Sequence, residues 1–206
     1  MNLDVSELAG QLVQRGSSAV RIVVAIAGPP GSGKSTLAER LATALNTKGK
    51  EAAVVPMDGF HMDDAVLQEK GLLARKGSPQ TFDVRGLLDI VRALKLADVE
   101  VLVPLFDRTR ELAVAAARTI PKTTRFVLVE GNYLLLDDLP WSRLAAHFDI
   151  SIMLMPPDDV LEDRLMRRWL DLGLDPAAAR EKVHSNDLPN GRLVRNRSRK
   201  ADITLS

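Results

Sequence analysis

The sequence predicts an α/β fold in three layers, a mostly parallel sheet with helices on both faces. Three observations carry this. Apolar runs rich in β-branched residues, at 20–27, 124–131 and 148–155, read as strands buried on both sides. Segments with apolar residues at helical spacing lie between them. A glycine-rich turn joins the first such strand to the first such helix.

That turn is Gly28-Pro29-Pro30-Gly31-Ser32-Gly33-Lys34-Ser35-Thr36. It fits the pattern G-x-x-x-x-G-K-[ST], the phosphate loop of P-loop NTPases. Glycines let the backbone curl tightly and turn its N–H groups toward phosphate oxygens. Lys34 reaches the β- and γ-phosphates, the Ser35 hydroxyl is placed to hold Mg²⁺, and the following helix presents its positive end to the anion. Both flanks fit: a strand precedes, and Leu37, Leu41 and Leu45 then recur on one helical face. The motif predicts a nucleoside triphosphate, ATP or GTP, without saying how the phosphate is used.

The 206 residues suffice for one domain, 1–206, with a sizeable core. A net charge of +1 argues against broad nucleic-acid binding. The lack of cysteine excludes disulfides and thiolate metal sites and fits the cytoplasm. The acidic, mixed residues 1–7 are unlike a signal peptide, and no apolar run is long enough to span a bilayer. The expected partner is a small molecule, with neither nucleic acid nor membrane; a homodimer is compatible with the sequence.

In chain order, Leu3, Leu8 and Leu12 predict a short amphipathic helix within 1–18, broken by Gly16-Ser17-Ser18. After the phosphate loop and its helix, 51–57 reads as the second strand and delivers Asp58-Gly59-Phe60-His61 at its carboxyl end. Ligands bind beyond the carboxyl ends of strands in such sheets. Asp58 therefore fits either a carboxylate that receives or orients the proton of an attacking hydroxyl, or a turn and helix-capping residue. A short helix at 62–70 leads to an irregular stretch, 71–83. There Arg75 and Lys76 fit either solvated charges or attractors of an anionic substrate, and Asp83 fits either a cap of the helix 84–96 or a ligand for substrate hydroxyls.

Residues 100–108 read as a third strand, with Pro104 marking an edge, bulge or end, and with Asp107 and Arg108 at its carboxyl end, free to pair with each other. Residues 111–118 read as a short helix or excursion. The strand 124–131 ends in Glu130, a candidate ligand of Mg²⁺ or its water. Tyr133 and Trp141 read as core. After the strand 148–155, Pro156-Pro157 and an N-cap at Asp158 open a helix to about 172. Arg164, Arg167 and Arg168 fall at i, i+3 and i+4 on it, gathering guanidiniums suited to phosphoryl oxygens. A further helix at 175–184, a turn at 186–191, a basic run at 192–200 and a last strand at 201–205 complete the chain. The basic run lacks aromatic stacking residues for RNA, and His61, His147 and His184 lack metal-ligand spacing.

The motifs Asp58-Gly59-Phe60-His61, the stretch 75–83, Pro104-Leu105-Phe106-Asp107-Arg108 and Val129-Glu130-Gly131-Asn132-Tyr133 together resemble the small P-loop kinases that include uridine kinase, phosphoribulokinase and bacterial pantothenate kinase. The resemblance covers roughly 20–205. With Asn186-Asp187-Leu188-Pro189-Asn190 it is most similar to a bacterial subgroup labelled fructose transport system kinases. The resemblance implies ATP and Mg²⁺ as cofactors and a small helical lid at 158–186. It implies Asp58 as catalytic carboxylate, with Lys34 and the lid arginines Arg164 and Arg168 on the phosphates, and Ser35 and Glu130 organising Mg²⁺. By resemblance Asp83 matches the acid that holds substrate hydroxyls in uridine kinases; His61, Arg75, Asp107 and Arg108 complete the acceptor candidates. Uridine kinases carry an aromatic residue and a histidine around the strand where this chain has Phe106, Asp107 and Arg108.

The sequence therefore predicts an ATP-dependent kinase that phosphorylates a hydroxyl of a small polar metabolite: a sugar such as fructose, a nucleoside or a pantothenate-like molecule. The alternatives are a P-loop NTPase working as a nucleotide-dependent switch without an acceptor, and an RNA-directed kinase using 192–200.

Overall fold

The predicted strands assemble into one sheet and one hairpin. The computed structural model describes residues 4–16 and 19–206; the expected contribution of Leu3 to the first helix, and the Ser17-Ser18 break, lie outside them. In chain order the elements are α1 (Val5–Arg15), β1 (Ile22–Ala27), α2 (Lys34–Thr47), β2 (Ala52–Pro56), α3 (Asp64–Glu69), α4 (Val84–Leu96), β3 (Val101–Asp107), β4 (Leu112–Ile120), β5 (Phe126–Gly131), β6 (Ile150–Leu154), α5 (Asp158–Asp171), α6 (Pro176–Lys182), α7 (Leu188–Arg197) and β7 (Ile203–Leu205). Short 3-10 turns fill several connections.

The main sheet runs β2-β5-β1-β6-β7, and every neighbouring pair is parallel. Every residue of β1 and β5 is buried, which is why these strands read as unbroken apolar runs. Alternation still decides the layers. Val23, Ala25 and Ala27 pack toward α4, Tyr133 and Trp141, while Val24 and Ile26 pack toward α1 and α2. Register levels the strand ends: Ala27 lies opposite Gly131, and Pro56 opposite Glu130. The loops beginning at Gly28, Met57 and Gly131 therefore leave the sheet side by side.

The third predicted strand does not join this sheet. β3 pairs antiparallel with β4 alone, and the stretch expected as a helix or excursion at 111–118 is strand from Leu112 onward, with Glu111 in the turn. Alanine favours helix intrinsically, but pairing with β3 decides the outcome. Val101 and Val103 are buried, as is Ile120. The register slips between Val103 and Leu105, at Pro104, which has no N–H to give the ladder. Gly59 packs against this bulge: a Cβ there would lie 2.3 Å from the Pro104 carbonyl oxygen. The hairpin is thus seated on the turn that carries Asp58.

Two further departures occur near the C-terminus. Asp158 does not cap α5; Pro157 occupies that position without a side-chain bond, and Asp158 instead accepts from Arg195 Nη2 at 2.7 Å. The stretch 186–191, expected as a turn, is helical. α6 runs through a π-helical segment, Val183–Asp187, directly into α7. Pro189 explains the wide turn: it has no N–H to return to Ser185, and the Ser185 carbonyl accepts from Arg75 Nη1 at 2.9 Å instead. Part of the basic run is consumed internally, since Arg195 binds Asp158 and Arg197 binds Asp138.

Arg21 has a role that its place in an apolar run hid. It is buried and donates to four carbonyls, of Thr124, Leu94, Pro121 and Lys122, at 2.7–2.9 Å. It ties α4 and the entry to β5 to the start of β1. Arg21→Ala is expected to strand these acceptors and cost about 3 kcal/mol, measured as a lower urea midpoint with an unchanged m-value.

Candidate active site

The phosphate loop forms because its glycines reach conformations other residues resist. Gly31 and Gly33 have φ of 78° and 89°. At Gly28 a Cβ would lie 2.8 Å from the Leu154 carbonyl oxygen, so the loop leaves β1 pressed against β6. Gly33 is the N-cap of α2 and offers no side-chain acceptor, which leaves the first N–H groups of the helix for an anion. Ser32 Oγ is buried in the loop without a hydrogen-bond partner among the described residues. Lys34, Ser35 and Thr36 open α2.

Above the loop lies a cavity of about 150 Å³. Lys34, Ser35, Asp58, Arg108, Glu130 and Arg168 line it. Glu130 is 5% exposed and accepts from Ser35 Oγ at 3.1 Å. Burial pushes the Glu130 carboxyl up from its ordinary value, against the Lys34 charge. Burial likewise pushes Lys34 down, opposed by Glu130 and Asp58. Each group holds the other toward its charged form. An alcohol oxygen and a carboxylate oxygen beside a phosphate cradle are hard donors that fit Mg²⁺, which takes one or two protein ligands and keeps phosphates and waters for the rest.

The small cavity adjoins a cleft of about 580 Å³, and Pro30, Asp58, Arg108, Asn132 and Arg168 line both. The cleft lies between the hairpin and α5–α6. His61, Phe82 and Phe106 give it an aromatic wall, with ring centroids 4.1 and 4.8 Å from His61. His61 Nδ1 donates to the Asp58 carbonyl at 2.8 Å, which fixes the ring and the turn. Burial pushes His61 below its ordinary 6.5, with Asp58 opposing. An unfolded chain takes up a proton near 6.5 that the folded chain refuses, so acidification through that value destabilises the fold. His61→Phe, which retains the aromatic stack, is expected to shrink the stability lost between about pH 7 and 5.5 in urea titrations.

Not every predicted site residue meets in this cleft. Asp58, His61, Arg108, Arg164 and Arg168 line it. Asp83 instead caps α4, accepting from Gly86 N at 2.9 Å, and lines a separate groove beyond Phe82. Asp107 faces its own turn, accepting from the Thr109 and Arg110 backbone and from Arg110 Nε; it does not pair with Arg108. Arg75 is spent on the Ser185 carbonyl. It belongs to a bracket in which the Lys76 carbonyl accepts from Asn186 and the Gly77 carbonyl from Tyr133, tying the 71–83 stretch to the base of α6–α7. Lys76 Nζ donates to the Glu111 carbonyl at 2.8 Å and pairs with Asp64, holding the hairpin tip.

The three arginines of α5 part ways. Arg164 Nη1 donates to the Gly31 and Ser32 carbonyls at 3.3 and 3.2 Å, laying α5 across the loop. Arg167 pairs with Asp163 at 2.7 Å at the surface. Arg168 faces both cavities, and burial and the neighbouring Arg108 pull it below its ordinary value, with Asp187 opposing. Asp187 itself, brought into the cleft by the π-helical segment, accepts from Trp169 Nε1 at 2.6 Å. Burial pushes its carboxyl up. In the sequence Asp187 stands within the Asn186-Asp187-Leu188-Pro189-Asn190 motif, with nothing local to mark it as a cleft residue.

Residues 23–190 match the model of the phosphoribulokinase/uridine kinase family. The uncharacterised protein YggC of Escherichia coli is 36% identical over 187 residues, covering 90% of this chain and 77% of that protein. A Schizosaccharomyces pombe protein named "putative uridine kinase C227.14" is 34% identical, covering 97% and 88% respectively. Among solved structures, a "putative fructose transport system kinase" from Silicibacter sp. TM1040 superposes with a TM-score of 0.94 at 43% identity over all of both chains. YFH7 of Saccharomyces cerevisiae shares the fold, with a TM-score of 0.87 at 23% identity over 98% of each. With its phosphate loop, its parallel sheet and this match, the chain belongs to the phosphoribulokinase/uridine kinase family and is a small-molecule P-loop kinase.

Proposed function

We propose that the chain transfers the γ-phosphoryl group of ATP to a hydroxyl of a small polar metabolite held in the larger cleft. The observation that carries this reading is the place of Asp58, whose carboxylate stands where the phosphate cavity and the cleft meet. There it aligns the acceptor hydroxyl and receives its proton. Lys34 and the loop N–H groups hold the phosphates. Ser35 and Glu130 hold Mg²⁺, which offsets phosphate charge when bound. α5–α6 serves as a lid, with Arg164 bracing it on the loop and Arg168 facing the phosphates. His61 and Phe106 give the acceptor an apolar face to lie on. Asp83, Asp107 and Arg75 serve structure rather than the acceptor.

Two relatives carry the words fructose and uridine in their names, so both molecules lead the test. ADP release with Mg·ATP is measured against fructose and other sugars, uridine and other nucleosides, pantothenate and pentose phosphates. One acceptor is expected to raise the rate well above hydrolysis. A flat panel, extended to no effect, would favour the acceptor-free switch.

A further inference from the structure

Resting on the kinase reading, one residue has more to do than line the cleft. Arg108 follows β3 at the hairpin tip, and its Nη2 donates to Asp58 Oδ2 at 2.7 Å. The pair occupies the carboxylate that an acceptor hydroxyl must reach. Arg108 lines the cleft and the phosphate cavity alike, and its charge acts on Lys34, Glu130 and Arg168. Its side chain is 56% exposed, so the guanidinium can turn. Its backbone cannot wander: the Pro104 bulge rests on Gly59, and Lys76 grips the Glu111 carbonyl.

A transferred phosphoryl group spreads charge over three equatorial oxygens. Lys34 approaches from the loop and Arg168 from α5. On the acceptor side stands Asp58, whose negative charge repels that group unless a cation offsets it. We propose that Arg108 is a catalytic arginine with two stations. It sits on Asp58 in the empty cleft. When the acceptor hydroxyl, or a water standing in for it, takes its place on Asp58, Arg108 turns its free N–H groups to an oxygen of the phosphoryl in flight. The bond from phosphorus to the bridging oxygen of ADP breaks, and the bond to the acceptor oxygen forms. The hydroxyl proton passes to Asp58, ADP leaves with the electron pair, and Arg108 changes no bond.

The test needs no knowledge of the acceptor. Mg·ADP binding, with and without fluoroaluminate as a mimic of the phosphoryl in flight, is compared by calorimetry for wild type, Arg108→Ala and Arg108→Lys, and for the first two again with Asp58→Asn. Basal ATP hydrolysis and melting temperature are followed in parallel. Arg108→Ala is expected to melt normally and bind Mg·ADP within about threefold, yet lose about 100-fold of the fluoroaluminate tightening and of basal turnover. Arg108→Lys recovers only part, since an ammonium lacks the planar fork. The loss persists when Asp58 is already Asn. If it vanishes in that background, Arg108 only neutralises Asp58, and the proposal is overturned; unchanged tightening in Arg108→Ala overturns it equally. A wild type that binds Mg·ADP but gains nothing from fluoroaluminate sinks the phosphoryl-transfer reading, and this proposal with it.

Discussion

Replacing Lys34 by Met is expected to lower kcat/KM for ATP by about 1,000-fold while leaving the fold intact. Taking away the cation that a bound, enclosed phosphate would pair with costs about 2–5 kcal/mol, and about 4 kcal/mol corresponds to three decades. The structure adds a second consequence. Lys34 is the foremost influence holding the Glu130 carboxyl down against burial. Without it Glu130 moves further toward its protonated form, and the oxygen beside Ser35 becomes a poorer ligand for a cation. The variant should therefore also need more Mg²⁺ for half-maximal activity, and the excess requirement should ease as pH rises. Steady-state titrations of Mg²⁺ at two pH values check this. An unchanged Mg²⁺ requirement would separate Lys34 from Glu130.

Asp58→Asn is expected to do the reverse for binding. The amide keeps the shape of the carboxylate, and the phosphate loop is untouched, so ATP affinity should stay within about threefold. The amide oxygen accepts a hydrogen bond but is not basic enough to take the proton, so turnover should fall about 100- to 10,000-fold, the range for a positioned general base. The Asp58 side chain is 25% exposed, and the turn is held by its carbonyl through His61, not by its carboxylate. Stability should consequently change little. Calorimetric ATP binding and acceptor-stimulated ADP release are the paired readouts. Loss of both together would mean that Asp58 builds the site rather than serving the acceptor.

What the sequence disclosed followed from local chemistry. The phosphate loop needs glycines at fixed positions and an uncapped helix start, and both show in nine residues. Strands buried on both faces announce themselves as apolar runs, and Pro104 marked a break in its ladder. The placement of Glu130 at a strand end, next to Ser35, followed from those same signals.

What stayed hidden depends on partners far along the chain. β4 is alanine-rich, and only pairing with β3 makes it strand. Asp83 and Asp107 sit at strand and helix ends just as Asp58 does; which of the three reaches the cleft depends on where β3 goes, and β3 leaves the main sheet. Arg108 reaches Asp58 and lines the cleft, whereas Arg75 donates to the Ser185 carbonyl, which Pro189, more than a hundred residues after Arg75, leaves without a helical donor. The same π-helical turn brings Asp187 into the cleft. No local spacing could report a carbonyl freed so far away.

The most direct measurement is ³¹P NMR of the chain with Mg·ATP and the acceptor that stimulates ADP release. The account predicts that a phosphate monoester of the acceptor grows in step with ADP, with little inorganic phosphate, and that Asp58→Asn abolishes it. If ADP is matched instead by inorganic phosphate, with no monoester from any acceptor, the phosphoryl goes to water and the account is contradicted.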